Sequence, residues 1–200
     1  DETATVRPLQ NDTDAEGDAL TISAVGTGTY GTAVLAPQQD RVTLGGALQE
    51  DDVFSIVIND GSSDHTFTYR VSAADVSTGK SLGAIATTLI GEINGELEGT
   101  VTATAGASAG AISITSDSNA VPFTTTASIT NSGATVAGTI AQSTPVPHAR
   151  AVVYTPDPDA VDTIVRGEVE TDTITYTASD GNGGTTFGSI VISLTGVNTL

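Results

Sequence analysis

Four carboxylates fall within seven residues, at Asp12, Asp14, Glu16 and Asp18 of the stretch NDTDAEGDALTISAV, and a run that alternates like a β-strand follows them. Carboxylates so close repel one another unless a cation shares them, and their oxygens are hard ligands. Gly17 permits a sharp turn inside the group. Calcium takes about six to eight oxygens in flexible geometry, so a loop of this kind suits it better than magnesium, which demands an octahedron. The loop is not an EF-hand, because the flanking helices and the glutamate at the twelfth position are missing. The plainer reading is a polar turn on a solvated acidic surface.

Other residues invite chemistry less strongly. The run DGNGGT at Asp180–Thr185 reads as a β-hairpin turn, since Asp-Gly and Asn-Gly supply the positive φ angles that hairpins need; Asp180 is open to a second role as an oxygen ligand. DPDAVD at 157–162 is an oxygen-rich loop, read as solvated or as a second ion site. His65 stands beside Asp64 at the tip of a predicted hairpin, where an exposed histidine without a role is the commoner case, and His148 has no partner in sequence. GASAG at Gly106–Gly110 fits a G-x-S-x-G pattern, but that nucleophile elbow needs a strand leading into a helix, and here AISIT follows, which reads as another strand. The reading is therefore non-enzymatic.

Composition narrows the partners. The 200 residues carry 24 acids against 6 bases, a formal charge of -18, and no cysteine, methionine or tryptophan. Nucleic acids and anionic membrane surfaces recruit clustered Lys and Arg, so neither is expected as a partner. With no thiols there is no disulfide framework, and oxygen-bound metal ions are the cross-link left to a secreted β protein. No apolar run approaches the roughly 18 residues of a membrane span, and DETATVRPL is not a signal peptide. The sequence therefore reads as an internal module of something longer, whose export signal lies elsewhere.

Strands must position these groups. Runs rich in β-branched residues and bounded by Gly, Asp, Asn or Pro occur at 19–25, 32–36, 53–59, 66–71, 100–105, 111–115, 124–130, 151–155, 172–179 and 189–195. ITYTA and SIVISLT place an apolar residue at every second position, giving one buried and one hydroxyl-rich face. The exception is SLGAIATTLIGEINGEL, where Leu82, Ile85, Leu89 and Ile93 recur at spacings of three and four. It predicts one amphipathic helix over 82–94, capped by Ser81 and stopped by Gly95.

The two ends of the chain together resemble one repeat of a known family, the bacterial cadherin-like, immunoglobulin-like repeats of large calcium-dependent (RTX-type) adhesins. The first half of the pattern is Asn11–Val25 followed by GTYGTAVL; the second is VVYTPDPD and then DTITYTASDGNGGTTFGSIVISLTGVN. About a hundred residues separate Val34 from Tyr154, where the family has a few, and DAVDTIVRGEVET is longer than the family's loop. The resemblance implies a mainly β chain: an Ig-like (cadherin-like) β-sandwich built from 1–37 and 148–200, interrupted by an inserted α+β domain at 38–147. It also implies Ca2+ as the cofactor, held by the loop acids with acids from the chain start and the Asp-Gly turn; Glu2, Asp12, Asp14, Asp18 and Asp180 are the expected metal ligands. Its expected function is a calcium-stabilised extender module of a secreted bacterial adhesin at the cell surface, supporting attachment or biofilm formation, with neighbouring repeats as partners. The alternative makes the insert a binding module for a glycan or peptide, carried on the sandwich as a stalk.

Overall fold

A computed structural model describes residues 2–118, 121–133 and 138–197. The chain is mainly β, and it divides into two compact units, Asp1–Ala36 with His148–Leu200, and Pro37–Pro147.

The first unit is an Ig-like β-sandwich of two antiparallel three-stranded sheets. One sheet has the order β1 (Ala4–Val6), β11 (Val152–Pro156), β3 (Gly31–Leu35); the other runs β13 (Thr185–Thr195), β12 (Val169–Ser179), β2 (Thr21–Val25). Period-2 alternation selects the faces: Ile174 and Ala178 of β12 and Ile190 of β13 turn inward, joining Leu9, Ile22, Val152 and Tyr154 in one core. Thr173 and Thr175, exposed, and Thr177, half-buried, alternate with them on the other face. Ile174 pairs with Ile190 across the strands, in a register that runs through eleven residue pairs of the hairpin. Beneath the core lies Asp172, whose carboxylate accepts the Thr29 N–H at 2.7 Å, the Tyr30 N–H at 2.9 Å and the Tyr154 hydroxyl at 2.8 Å. DPDAVD is less a loop than one helical turn, α3 (Pro158–Val161), with Asp157 accepting from the Asp159 N–H as its cap.

The second unit holds the sheet β10 (Gly138–Val146), β4 (Gln39–Gly46), β8 (Ala111–Ser116), β7 (Val101–Ala105) and the sheet β6 (Asp64–Arg70), β5 (Val53–Asn59), β9 (Thr124–Thr130). Helix α2 (Leu82–Glu96) buries Ile85, Ala86, Leu89 and Ile93 against the same core as Phe54, Ile56, Ile58, Ile112 and Ile114. Ser81 caps it as the sequence requires, accepting from the Ala84 N–H at 3.1 Å. It runs past Gly95 because Asn94 spends its amide on both backbone groups of Ala103 and because Leu97, the C-cap residue, is itself buried. A shorter helix, α1 (Ala73–Thr78), starts with a reciprocal capping box between Ser72 and Asp75 and ends on Gly79. GASAG is the turn of the β7–β8 hairpin, closed by the Gly106 N–H to the Ala111 carbonyl, so the strand-to-helix setting of a nucleophile elbow is absent.

The ends of each unit are neighbours within it. Leu35 pairs with Val152 and Gln39 with Val146, so the chain leaves and rejoins each unit on adjacent strands. Asp40 occupies the inward-facing parity of β4 shared by Val42 and Leu44, is 2 % exposed, and its Oδ1 has no hydrogen-bond partner among the described residues.

His65 is not an idle histidine. Its ring bonds Glu96 Oε1 at the end of α2 at 2.7 Å through Nδ1, and reaches Asp60 Oδ2 at 3.3 Å and Ser63 Oγ at 3.1 Å through Nε2, while Asp64 is taken by Asn59. The Glu96 bond raises its pKa, burial opposes this, and Asp60 adds to the rise. A histidine whose folded pKa lies above its unfolded one stabilises fully below the unfolded value, about 6.5, and ceases to do so as pH climbs through the folded value. His65→Gln is therefore expected to flatten the decline in stability of this unit as pH rises above about 6.5, measured by urea midpoints across pH; an unchanged slope would show that the ring does not titrate against Glu96 and Asp60.

Candidate metal site

The acidic stretch and the DGNGGT turn, far apart in sequence, meet on the first unit. A cavity of about 640 Å³ is lined by Asn11, Asp12, Thr13 and Asp14 from the loop before β2, by Ser179, Asp180 and Gly184 from the β12–β13 turn, and by Thr185–Gly188 at the start of β13; Leu20, Tyr176 and Ala178 also line it. Among the described residues, neither Lys nor Arg contributes to that lining.

Each loop is folded by its own carboxylate. Asp14 Oδ1 accepts the N–H groups of Glu16 at 2.9 Å and Asp18 at 3.1 Å, and Gly17 takes φ +87° to close the turn. The Asp18 amide, partly opposed by desolvation and assisted by the Glu16 and Gly17 amides, holds the Asp14 carboxyl below the usual range. Asp180 Oδ1 likewise accepts from Asn182 at 2.8 Å and Gly184 at 2.9 Å, with Gly183 at φ +107°. The loops are then tied directly: the Asn182 side-chain amide donates to Asp18 Oδ2 at 2.8 Å. Burial, with the charge of Asp12 added, raises the pKa of the Tyr176 phenol.

Of the five expected ligands, the structure brings Asp12, Asp14 and Asp180 to one cavity and couples Asp18 to it through Asn182. Glu2, exposed ahead of β1, does not line it. The donor chemistry suits a hard divalent cation: three carboxylates, with Asn, Thr and Ser oxygens beside them. The convergence is incomplete, since among the described residues no three His, Asp or Glu side chains stand close enough to hold a metal ion together. Sequence reasoning missed Asn182 as the tie between the loops and Phe187, 83 % exposed, at the rim. Phe187 lies ahead of the strand expected at 189–195, and the structure extends that strand back to Thr185.

The aromatic residues of the second unit form no exposed platform: Phe54, Phe67 and Phe123 are buried, and the Tyr69 ring is covered by Lys80 Nζ at 4.8 Å. No helix among the described residues is long and apolar enough to cross a membrane.

No curated protein matches the chain. Residues 1–88 match the family model of the bacterial Ig domain, a stretch that takes in β1, β2 and β3 of the sandwich and continues to α2 of the second unit, so over this stretch the chain is similar to a bacterial Ig-like repeat.

Proposed function

We propose that this chain is a non-catalytic, calcium-stabilised extender module of a large bacterial surface adhesin, with neighbouring repeats of the same protein as its partners. The observation that carries the reading is the gathering of Asp12, Asp14 and Asp180 from the two ends of the sandwich sequence onto one cavity, with no basic residue among the described residues that line it. A bound divalent cation would supply the positive charge that these groups lack. Asp12, Asp14 and Asp180 line the cavity too far apart to hold it together as they stand, so binding would draw their side chains in around the ion, with Asp18 kept in place by Asn182. Joining the loop before β2 to the β12–β13 turn would stiffen the sandwich where its sequence halves meet. Bacterial Ig domains are usually surface-exposed, which agrees with an extracellular location, and the unit Pro37–Pro147 is on this reading an autonomously folding insert.

Isothermal titration of the chelator-treated protein with calcium tests this. Binding is expected in the roughly 0.1–1 mM range of extracellular calcium modules, weakened at least severalfold in Asp14→Ala and absent with magnesium at equal concentration. No calcium-dependent heat in the wild-type protein would overturn the proposal.

A further inference from the structure

The chain holds two Asn-Gly pairs, and the structure treats them oppositely. Asn94-Gly95 lies inside α2, and the Asn94 side chain is fixed at both ends, its amide nitrogen donating to the Ala103 carbonyl at 2.9 Å and its oxygen accepting the Ala103 N–H at 2.7 Å. Asn182-Gly183 lies in an exposed turn. Among the described residues the Gly183 N–H has no acceptor, Gly183 sits at φ +107°, and one hydrogen bond, to Asp18, restrains the Asn182 side chain.

We propose that Asn182 is a site of spontaneous deamidation, and that the reaction is a one-way release of the tie between the two acidic loops. The Gly183 backbone nitrogen attacks Cγ of Asn182; a carbon–nitrogen bond forms, the side-chain amide bond breaks, and ammonia leaves with the proton lost by the attacking nitrogen. Water then opens the resulting succinimide at either carbonyl, yielding aspartate or isoaspartate with no oxidant or other reactant required. Glycine at the attacking position matters because it brings no side chain to block the ring and turns freely. The product has a carboxylate where Asp18 Oδ2 formerly accepted a hydrogen bond, so attraction at 2.8 Å becomes repulsion. Isoaspartate also lengthens the turn backbone by one carbon, displacing the Asn182 and Gly184 amides that hold Asp180. None of this depends on whether calcium binds.

The test is incubation of the whole protein at mildly alkaline pH, with peptide mapping by mass spectrometry using fragmentation that separates aspartate from isoaspartate. Acid is expected to accumulate at 182 well before any appears at 94, with isoaspartate the major product, and the acidic band seen on isoelectric focusing is expected to be lost in Asn182→Gln. Asn182→Asp is expected to melt below Asn182→Gln in chelator at low ionic strength, with the gap closing as salt screens the new charge. Conversion at 182 no faster than at 94, or persistence of the acidic band in Asn182→Gln, would overturn the site; equal melting of the two variants would overturn the release.

Discussion

Replacing Asp172 with alanine is expected to destabilise the sandwich by about 3–5 kcal/mol, since several buried donors lose a charged acceptor at once. Asp172 is 1 % exposed, and three donors from two other segments converge on it: the backbone amides of Thr29 and Tyr30 and the Tyr154 hydroxyl. Alanine leaves all three without an acceptor, each at a desolvation cost of about 1–3 kcal/mol, and these costs are not additive. Tyr154→Phe removes one donor and is expected to cost about 1 kcal/mol. The same network sets an acid limit. Burial pushes the Asp172 pKa up, but the Thr29, Tyr154, Tyr30 and Thr173 hydrogen bonds outweigh it, so the folded value lies below the unfolded one. Its contribution is present above the unfolded pKa, about 3.9, and disappears as pH falls through the folded value. Urea unfolding of the alanine variant decides the matter: a loss under about 1 kcal/mol would mean that Asp172 is not the keystone of this sheet pair.

Phe54→Ala is expected to cost about 3–5 kcal/mol in the other unit, through lost burial and the cavity left behind. Phe54 is fully buried in the central strand of its sheet, paired with Tyr69 on one side and Ile129 on the other. The two substitutions act on separate cores. In calorimetry, Asp172→Ala should lower one transition and Phe54→Ala a different one, and the double variant should show both losses added. A single transition that both variants lower equally would refute independent folding of Pro37–Pro147.

How much of this could be read from sequence depends on where each element's signal lies. Strands β12 and β13 and helix α2 carry clean periodicities because each presents one face to a core, and their apolar residues are where the pattern puts them. Strand β4 was hidden because its inward positions open on Asp40, an acid where the pattern calls for an apolar residue. Strand β10 was hidden because its faces are mostly exposed and a bulge near Pro145 interrupts its pairing. The role of His65 was invisible for another reason: its neighbour Asp64 is not its partner, and Glu96, 31 residues on, is. In the acidic site, the individual turns were legible from Asp-Gly and Asn-Gly spacing. Their meeting required two segments more than a hundred residues apart to fold onto one sheet, which only the family pattern suggested.

Thermal unfolding of wild type and Asp14→Ala in excess chelator, in calcium and in magnesium decides whether a cation stabilises the sandwich. A ligand at about 100 times its Kd stabilises the folded state by about 2.7 kcal/mol, so calcium is expected to raise the melting temperature of the sandwich transition where magnesium does not, an effect reduced or lost in Asp14→Ala. Superimposable wild-type melts in chelator and calcium would contradict it, leaving Asp12, Asp14 and Asp180 as three solvated carboxylates that organise their own turns.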